Sequence, residues 1–221
     1  MHHRNRQWLS QLTITILQLA ISFSAPRAVA AEVIDRVLAV VAGQVIMLSD
    51  VTAARDLGLV KPGDPQGDPI GAVLSKLIDR ELILAQVDRY SPPEPGAEAI
   101  DREVQNVRAR LAQPDDFAAA LSRSGIDEQH LREILREDLR IREYEDERFT
   151  VPAPGDVELG RYYREHPQMF MRDRQPMSFE DARAEIARVL IEEQRSALIA
   201  GWVAGLRRRA DIVDLYSAGR K

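Results

Sequence analysis

Apolar residues in this chain recur at three- and four-residue steps through the whole middle of the sequence, and β-branched runs stand only at its two ends. That division constrains the fold more than any single motif, because a period near 3.6 predicts helices and a β-rich run predicts strands. Near the start, "EVIDRVLAVVAGQVIMLSDV" places Val33, Val37, Ala39 and Val41 in one run, breaks at Ala42-Gly43-Gln44 and resumes over Val45 to Leu48. This spells a β-hairpin with Gly43 in the turn. At the far end "ADIVDLY" predicts one more strand, over Asp211 to Tyr216. An open strand edge invites unwanted pairing, and the strand at Val33 to Val41 is the available partner for the last one. The expected fold class is mainly α: a helical body whose two ends meet in a small antiparallel sheet.

Helix signals fill the interval. Ser49 reads as an N-cap for a short helix to Asp56, and "GLVKPGDPQGDP" is a loop. A wide apolar face predicts a helix over Ile70 to Tyr90, and a narrow stripe predicts another over Ala97 to Ala112. A short helix around Phe117 to Ser122 closes at Gly125, and Asp127 caps a long one through Phe149. "VPAPGD" marks a joint before a helix over Val157 to Glu165. That helix stops at His166-Pro167. "SFED" at Ser178 to Asp181 forms an S-x-x-D box opening a helix of about thirty residues. Only a short, Met-rich, Pro-broken connection joins the two.

Residues 1–30 read as an export signal. Arg4 and Arg6 make a basic start, Leu9 to Phe23 an apolar stretch, and Ala28-Val29-Ala30 a cleavage site, so that the mature chain begins at Ala31. The apolar stretch falls short of the roughly 20 residues that span a bilayer. No cysteine is present, so there is no disulfide, no lipidated cysteine and no thiolate metal site. Three of the 30 Lys and Arg lie in the signal, leaving 27 against 35 acids and a mature net charge of −8. The arginines alternate with Asp and Glu, as in the D-R-E tripeptides and "REILREDLRIREYEDER", and read as solvated helix faces. A net negative chain of this kind is a poor nucleic-acid binder. Arg207-Arg208-Arg209 is the unbalanced cluster, at a helix C-terminus where the dipole favours cations.

No G-x-S-x-G, P-loop or H-E-x-x-H occurs. His130 and His166 are far apart in sequence and poor metal ligands. No catalytic residue, metal or cofactor is expected. The group that invites a binding role is Met169, Phe170, Met171, Met177 and Phe179, with Met47 on the second strand able to face the same surface. Methionine adapts to varied apolar partners. These residues either line the edge of a groove for polypeptides or plug the connection as core.

"VIDRVLAVVAGQVIMLSDV" resembles the opening of the SurA-type periplasmic chaperones, and "LSKLIDRELILAQV" and "SGIDEQHLREILREDLRIREYEDERF" are similar to later elements of their N-terminal domain. "PGDVELGRYYREHPQMF" and "MSFEDARAEIARVLIEEQRSALIAGWVAGLRRRADI" resemble the segments that flank a parvulin-type prolyl isomerase domain in such proteins. The resemblance implies a signal at 1–30, a SurA-like helical domain at 31–150, a connector at 151–177 where a parvulin domain would be inserted, and a helix and strand at 178–221 that pack back on the first domain. The ten residues from Gln168 to Met177 leave no room for that domain, so no isomerase activity is expected. By resemblance the chain is expected to be a periplasmic, ATP-independent holdase for non-native polypeptides, with outer-membrane protein precursors among its clients, that does not stay inserted in a membrane. The alternative is a non-catalytic assembly partner of one envelope protein, or a homodimer built on the face a parvulin domain would cover.

Overall fold

Two residues with positive φ, Ala42 at 50° and Gly43 at 87°, turn the chain between strands β1 (Val37–Val41) and β2 (Gln44–Met47). Such a pair twists a two-residue hairpin in the sense its strands require. The computed structural model describes residues 35–60, 67–111, 113–172 and 174–218; the signal and cleavage site expected at 1–30 lie outside them. After the hairpin come α1 (Leu48–Asp56), α2 (Pro69–Tyr90), α3 (Ala97–Arg110), α4 (Pro114–Ser124), α5 (Glu128–Arg148) and α6 (Asp156–Glu165). A 3-10 turn, Pro167–Met169, then leads into two-residue strands β3 (Met171–Arg172) and β4 (Gln175–Pro176). The chain ends with α7 (Phe179–Arg209), β5 (Ile212–Asp214) and α8 (Leu215–Ala218).

The ends meet as expected. The sheet has the order β2-β1-β5, with Val40 opposite Val45 on one side and Val213 on the other, both pairings antiparallel. Leu38, Ala39, Val41 and Ile46 bury into one core with Val51 of α1, Val73, Leu74, Ile78 and Leu82 of α2, and Leu206 of α7. A second cluster joins α1, α3, α4 and α5 around Leu57, Val104, Val107, Phe117 and Leu131. A third joins α2, α5 and α7 through Ile83, Val87, Ile141, Tyr144 and Val203. The fourth sits apart in sequence: Leu159 and Tyr162 of α6, Phe170, and Ala182, Ile186 and Leu190 of α7.

Caps fall mostly where the sequence places them. Asp127 accepts the His130 N–H at 2.8 Å, and Ser178 Oγ accepts the Asp181 N–H at 3.2 Å. Gly125 closes α4 at φ 74°. Ser49 is different: it lies inside α1, and both its N–H and its hydroxyl donate to the Asp35 carboxylate. Asp50 instead accepts the Met47 N–H at 2.7 Å, so the helix begins at Leu48. The local capping rule missed a partner fourteen residues away. The last strand is also shorter than Asp211 to Tyr216. Asp214 accepts the Ser217 N–H at 2.9 Å and turns the chain into α8, where the Tyr216 hydroxyl donates to Asp68 at 2.8 Å.

Arg80 ties α2 to α5. Its guanidinium donates to Glu81 at 3.0 Å, Glu137 at 2.8 Å and Asp138 at 2.8 Å, and to the Ile134 carbonyl at 3.1 Å. Its side chain is only 17% exposed. Removing one partner of a buried ionic cluster leaves the others uncompensated. Arg80→Ala is therefore expected to cost roughly 3 kcal/mol, read as a shift of the urea midpoint with unchanged slope.

Candidate functional site

Helix α2 is amphipathic on two sides, because α5 and α7 both pack against it. Between those two neighbours, above α2, lies a groove of about 820 Å³. Ile83 of α2, Leu135 and Ile141 of α5, and Ile199 and Val203 of α7 supply its apolar lining. Ser196, Ala200 and Ala204 of α7 lie exposed along one wall at four-residue spacing, which on a helix is a single face. The rim carries both signs: Arg142 pairs with Glu103 at 3.2 Å, Arg195 with Asp146, and Arg207 with Asp79. Arg207 also donates to the Ser75 carbonyl at 2.6 Å, which pins α7 to α2. Where α7 faces α5, Trp202 stands 5.8 Å from Tyr144 and 5.3 Å from Phe149, ring centre to ring centre.

A second cavity of about 450 Å³ adjoins the first. Leu59, Lys76, Arg80 and Asp138 line both, so the Arg80 cluster forms the partition. Met47, Val60, Leu77 and Ile134 give this cavity its apolar wall, and Asp50, Glu81, Glu137 and His130 its polar one. Burial pushes the Asp50 and Glu81 carboxyls above their ordinary values; the Met47 N–H opposes this at Asp50, and Arg80 opposes it at Glu81. Burial likewise raises Glu145, on the rim of the first groove, against the pull of Arg195. The Arg80 guanidinium is held more firmly protonated than usual: burial works against it, and Asp138 and Glu137 outweigh burial. Among the described residues, no group of His, Cys, Asp and Glu is arranged to hold a metal ion.

The residues singled out in the sequence fall in two places, and none of them lines the large groove. Met47 faces the second cavity. The other five gather at the connector. Phe170 is 2% exposed and forms the centre of the fourth cluster, with Tyr163 tilted against it at 5.9 Å. Its ring is packed in the core, and the Met177 N–H donates to the Phe170 carbonyl at 2.9 Å, folding the short hairpin over it. Met177 and Phe179 are half-buried around the same cluster, while Met169 and Met171 are exposed. The groove-lining residues escaped sequence reading because each sits within an ordinary amphipathic helix. The available signal was an over-wide apolar face on α2, more than one neighbour could cover.

No family model matches the sequence. A curated relative does: the chaperone SurA of Alkalilimnicola ehrlichii is 26% identical over 214 residues, covering 87% of this chain and 48% of that protein. The chain is SurA-like in sequence. It spans about half the length of the SurA it matches. Among solved structures, one from work on the virulence factor PEB4 and the periplasmic protein Cj1289, SurA-like chaperones of Campylobacter jejuni, superposes with a TM-score of 0.48 at 12% identity, covering 81% of this chain and 98% of that one. The SurA-like chain has the architecture expected from its sequence, mainly helical with a sheet made from both ends. Between α6 and α7 it has the 3-10 turn and the β3–β4 hairpin. Among the described residues, no helix is long and apolar enough to cross a membrane.

These placements give two expected outcomes. Phe170→Ala is expected to cost about 3–4 kcal/mol, as for other buried phenylalanines, whereas Met169→Ala and Met171→Ala should each stay within about 0.5 kcal/mol of the parent; urea titrations of the three variants measure this. Glu81 holds its proton more tightly folded than unfolded, so its contribution to stability falls as pH rises through the raised value. Glu81→Gln removes that contribution. Thermal melts across the acid-to-neutral range should show the variant gaining on the parent as pH increases.

Proposed function

We propose that the mature chain is an exported, ATP-independent chaperone that holds non-native polypeptides in the groove between α2, α5 and α7. The observation that carries this reading is the groove itself. It is a recess floored by the largely buried Ile83, Ile141 and Val203, onto which the half-buried Ile199 and the exposed Ala200 and Ala204 open, and it is ringed by charges of both signs. A concave recess with some apolar lining and several convergent polar groups is the default place to look for a ligand. A rim with both signs excludes few clients, which suits weak and unselective capture. The likeness to a SurA chaperone supports the same reading, and the signal at the N-terminus would direct the chain to the periplasm. There, outer-membrane protein precursors are the clients it would meet unfolded.

Release needs no nucleotide if each contact is weak. The net negative charge of the mature chain keeps the chaperone itself dispersed while its groove stays open. Met169 and Met171, exposed on the connector, form a second adaptable contact for a long client. Met47 adds an apolar wall in the adjoining cavity. Isomerase activity is not part of this reading: the connection between α6 and α7 is a short hairpin, far smaller than a catalytic domain.

The test is light scattering of a urea-unfolded outer-membrane barrel protein diluted with residues 31–221. Stoichiometric suppression of aggregation is expected, and Ala200→Trp, which fills the groove from an exposed position, should abolish most of it. A folded protein that leaves aggregation unchanged would overturn the chaperone reading. A proline-containing model peptide should isomerise at its uncatalysed rate in the presence of the chain.

A further inference from the structure

One edge of the three-stranded sheet opens onto a cavity. β2 stands at the end of the order β2-β1-β5, so one of its sides has no strand beside it. Gln44, Val45, Ile46 and Met47 all line the second cavity, of about 450 Å³. Successive side chains of a strand point to opposite faces, so consecutive residues border one cavity only where it runs along the strand's edge. The register fixes which backbone groups point there. The two-residue turn makes Val41 and Gln44 a hydrogen-bonded pair, and in an antiparallel ladder such pairs alternate with unbonded ones. Val45 therefore turns its N–H and C=O away from β1, and no other backbone takes them up among the described residues. The Met47 N–H points the same way and donates to Asp50 at 2.7 Å, which sets that carboxylate on the open edge itself.

Shape and charge along this edge choose the occupant. Val45, Val40 and Val213 form one register row across the outer face of the sheet, with Val45 and Val213 exposed at 50% and 46%. A strand added beside β2 would place the residue opposite Val45 on that face, where an apolar side chain extends the row. Its neighbours in the added strand would point the other way, on the side of the buried Ile46, and so into the cavity. There the carboxylates of Asp50, Glu81, Glu137 and Asp138 stand against Lys76 and Arg80, with His130 beside them. Arg80 alone serves Glu81, Glu137 and Asp138. Asp50 accepts the Met47 amide and has no ion pair among the described residues. An inward-pointing lysine or arginine would meet this excess of negative charge, and an inward-pointing acid would be repelled by it.

We infer that the β2 edge binds an extended polypeptide segment as an added antiparallel strand, with an apolar residue opposite Val45 and a lysine or arginine next to it that reaches Asp50 from the cavity side. Main-chain bonds to an open edge give such a complex its affinity, and pockets for alternate side chains give it selectivity. The segment is short, because α1 begins at Leu48 and closes the edge beyond Met47. Its class is a stretch of alternating apolar and basic residues. The site lies across the Arg80 cluster from the groove between α2, α5 and α7, and it does not depend on that groove being the client site.

The probe is a fluorescein-labelled, capped eight-residue peptide of alternating valine and lysine, compared with one carrying glutamate at every lysine position. Anisotropy with residues 31–221 should show the lysine peptide binding at least tenfold more tightly. Asp50→Asn, which keeps a side-chain oxygen for the Met47 N–H, should weaken it several-fold. N-methylation at the valines, whose N–H groups would face Val45, should weaken binding at least tenfold, and at the lysines less than twofold. Val45→Pro removes the edge N–H and spares the pairing with β1, so it should match valine methylation; if that variant does not fold, the methylated peptides decide. Ala200→Trp, in the groove, should leave the peptide bound. Binding that survives valine methylation overturns the added strand. A lysine preference that Asp50→Asn leaves intact reflects the net negative charge of the whole chain and overturns the site. Loss of the peptide in Ala200→Trp and not in Val45→Pro puts it in the groove, so that the edge inference fails while the chaperone reading stands. A dimer abolished by Val45→Pro, with no peptide bound, makes the occupant a second copy of the chain and overturns the inference as well.

Discussion

The groove depends first on the Arg80 side chain, which ties one of its two walls to α2. Arg80 gathers Glu81, Glu137 and Asp138 and holds α5 against α2 at a fixed separation. Were α5 to settle further onto α2 and α7, the groove would close. An ionic cluster resists that collapse better than apolar packing could. Its hydrogen bonds have set lengths and directions, and desolvating it further would remove the remaining water from charges that already pay for their burial. On the opposite side, Arg207 with Asp79 and Ser75 sets α7 at a second fixed distance from α2. The two walls are thus each hung on α2 by an arginine, and the space between them is left unfilled.

This arrangement explains an otherwise odd distribution of residues. The cores at the sheet and around α1, α3 and α4 are dense with Leu, Ile, Val and Phe, as stability requires in a chain without disulfides. The layer joining α2, α5 and α7 is thinner and contains aromatic rings at its margin, with Tyr144 linking Tyr90 to Trp202. The small residues on α7 face the gap. Filling that gap with larger side chains would have been the simplest route to a more stable fold.

The fourth cluster has a separate role. Phe170 closes a small core between α6 and the first half of α7, while the second half of α7 packs against α2. One helix therefore serves two cores, and the β3–β4 hairpin seals the first through the Met177 N–H on the Phe170 carbonyl and the Tyr163 hydroxyl, which donates to the Met177 carbonyl. The short connection between α6 and α7 is an ordered seal over an apolar ring. Its two outward methionines are what remains available to a partner.

Sequence alone determined most helix boundaries, the hairpin at Gly43 and the pairing of the chain ends, because each is written in local spacing, in a turn that needs positive φ, or in the unpaired edge of a strand. It also determined that the chain resembles SurA-type chaperones, since order of elements survives in a linear reading. Which faces stay open was decided only by tertiary structure. Arg80 belongs to a D-R-E run that reads as solvated, and its burial comes from α5, more than fifty residues away. Phe170 sits among methionines in a short connection and reads equally as groove edge or as core, and only α6 and α7 closing around it bury the ring. Ser49 reads as a cap until Asp35 takes its hydroxyl. In each case the deciding partner is distant in sequence, and periodicity reports which residues share a face but not what that face meets.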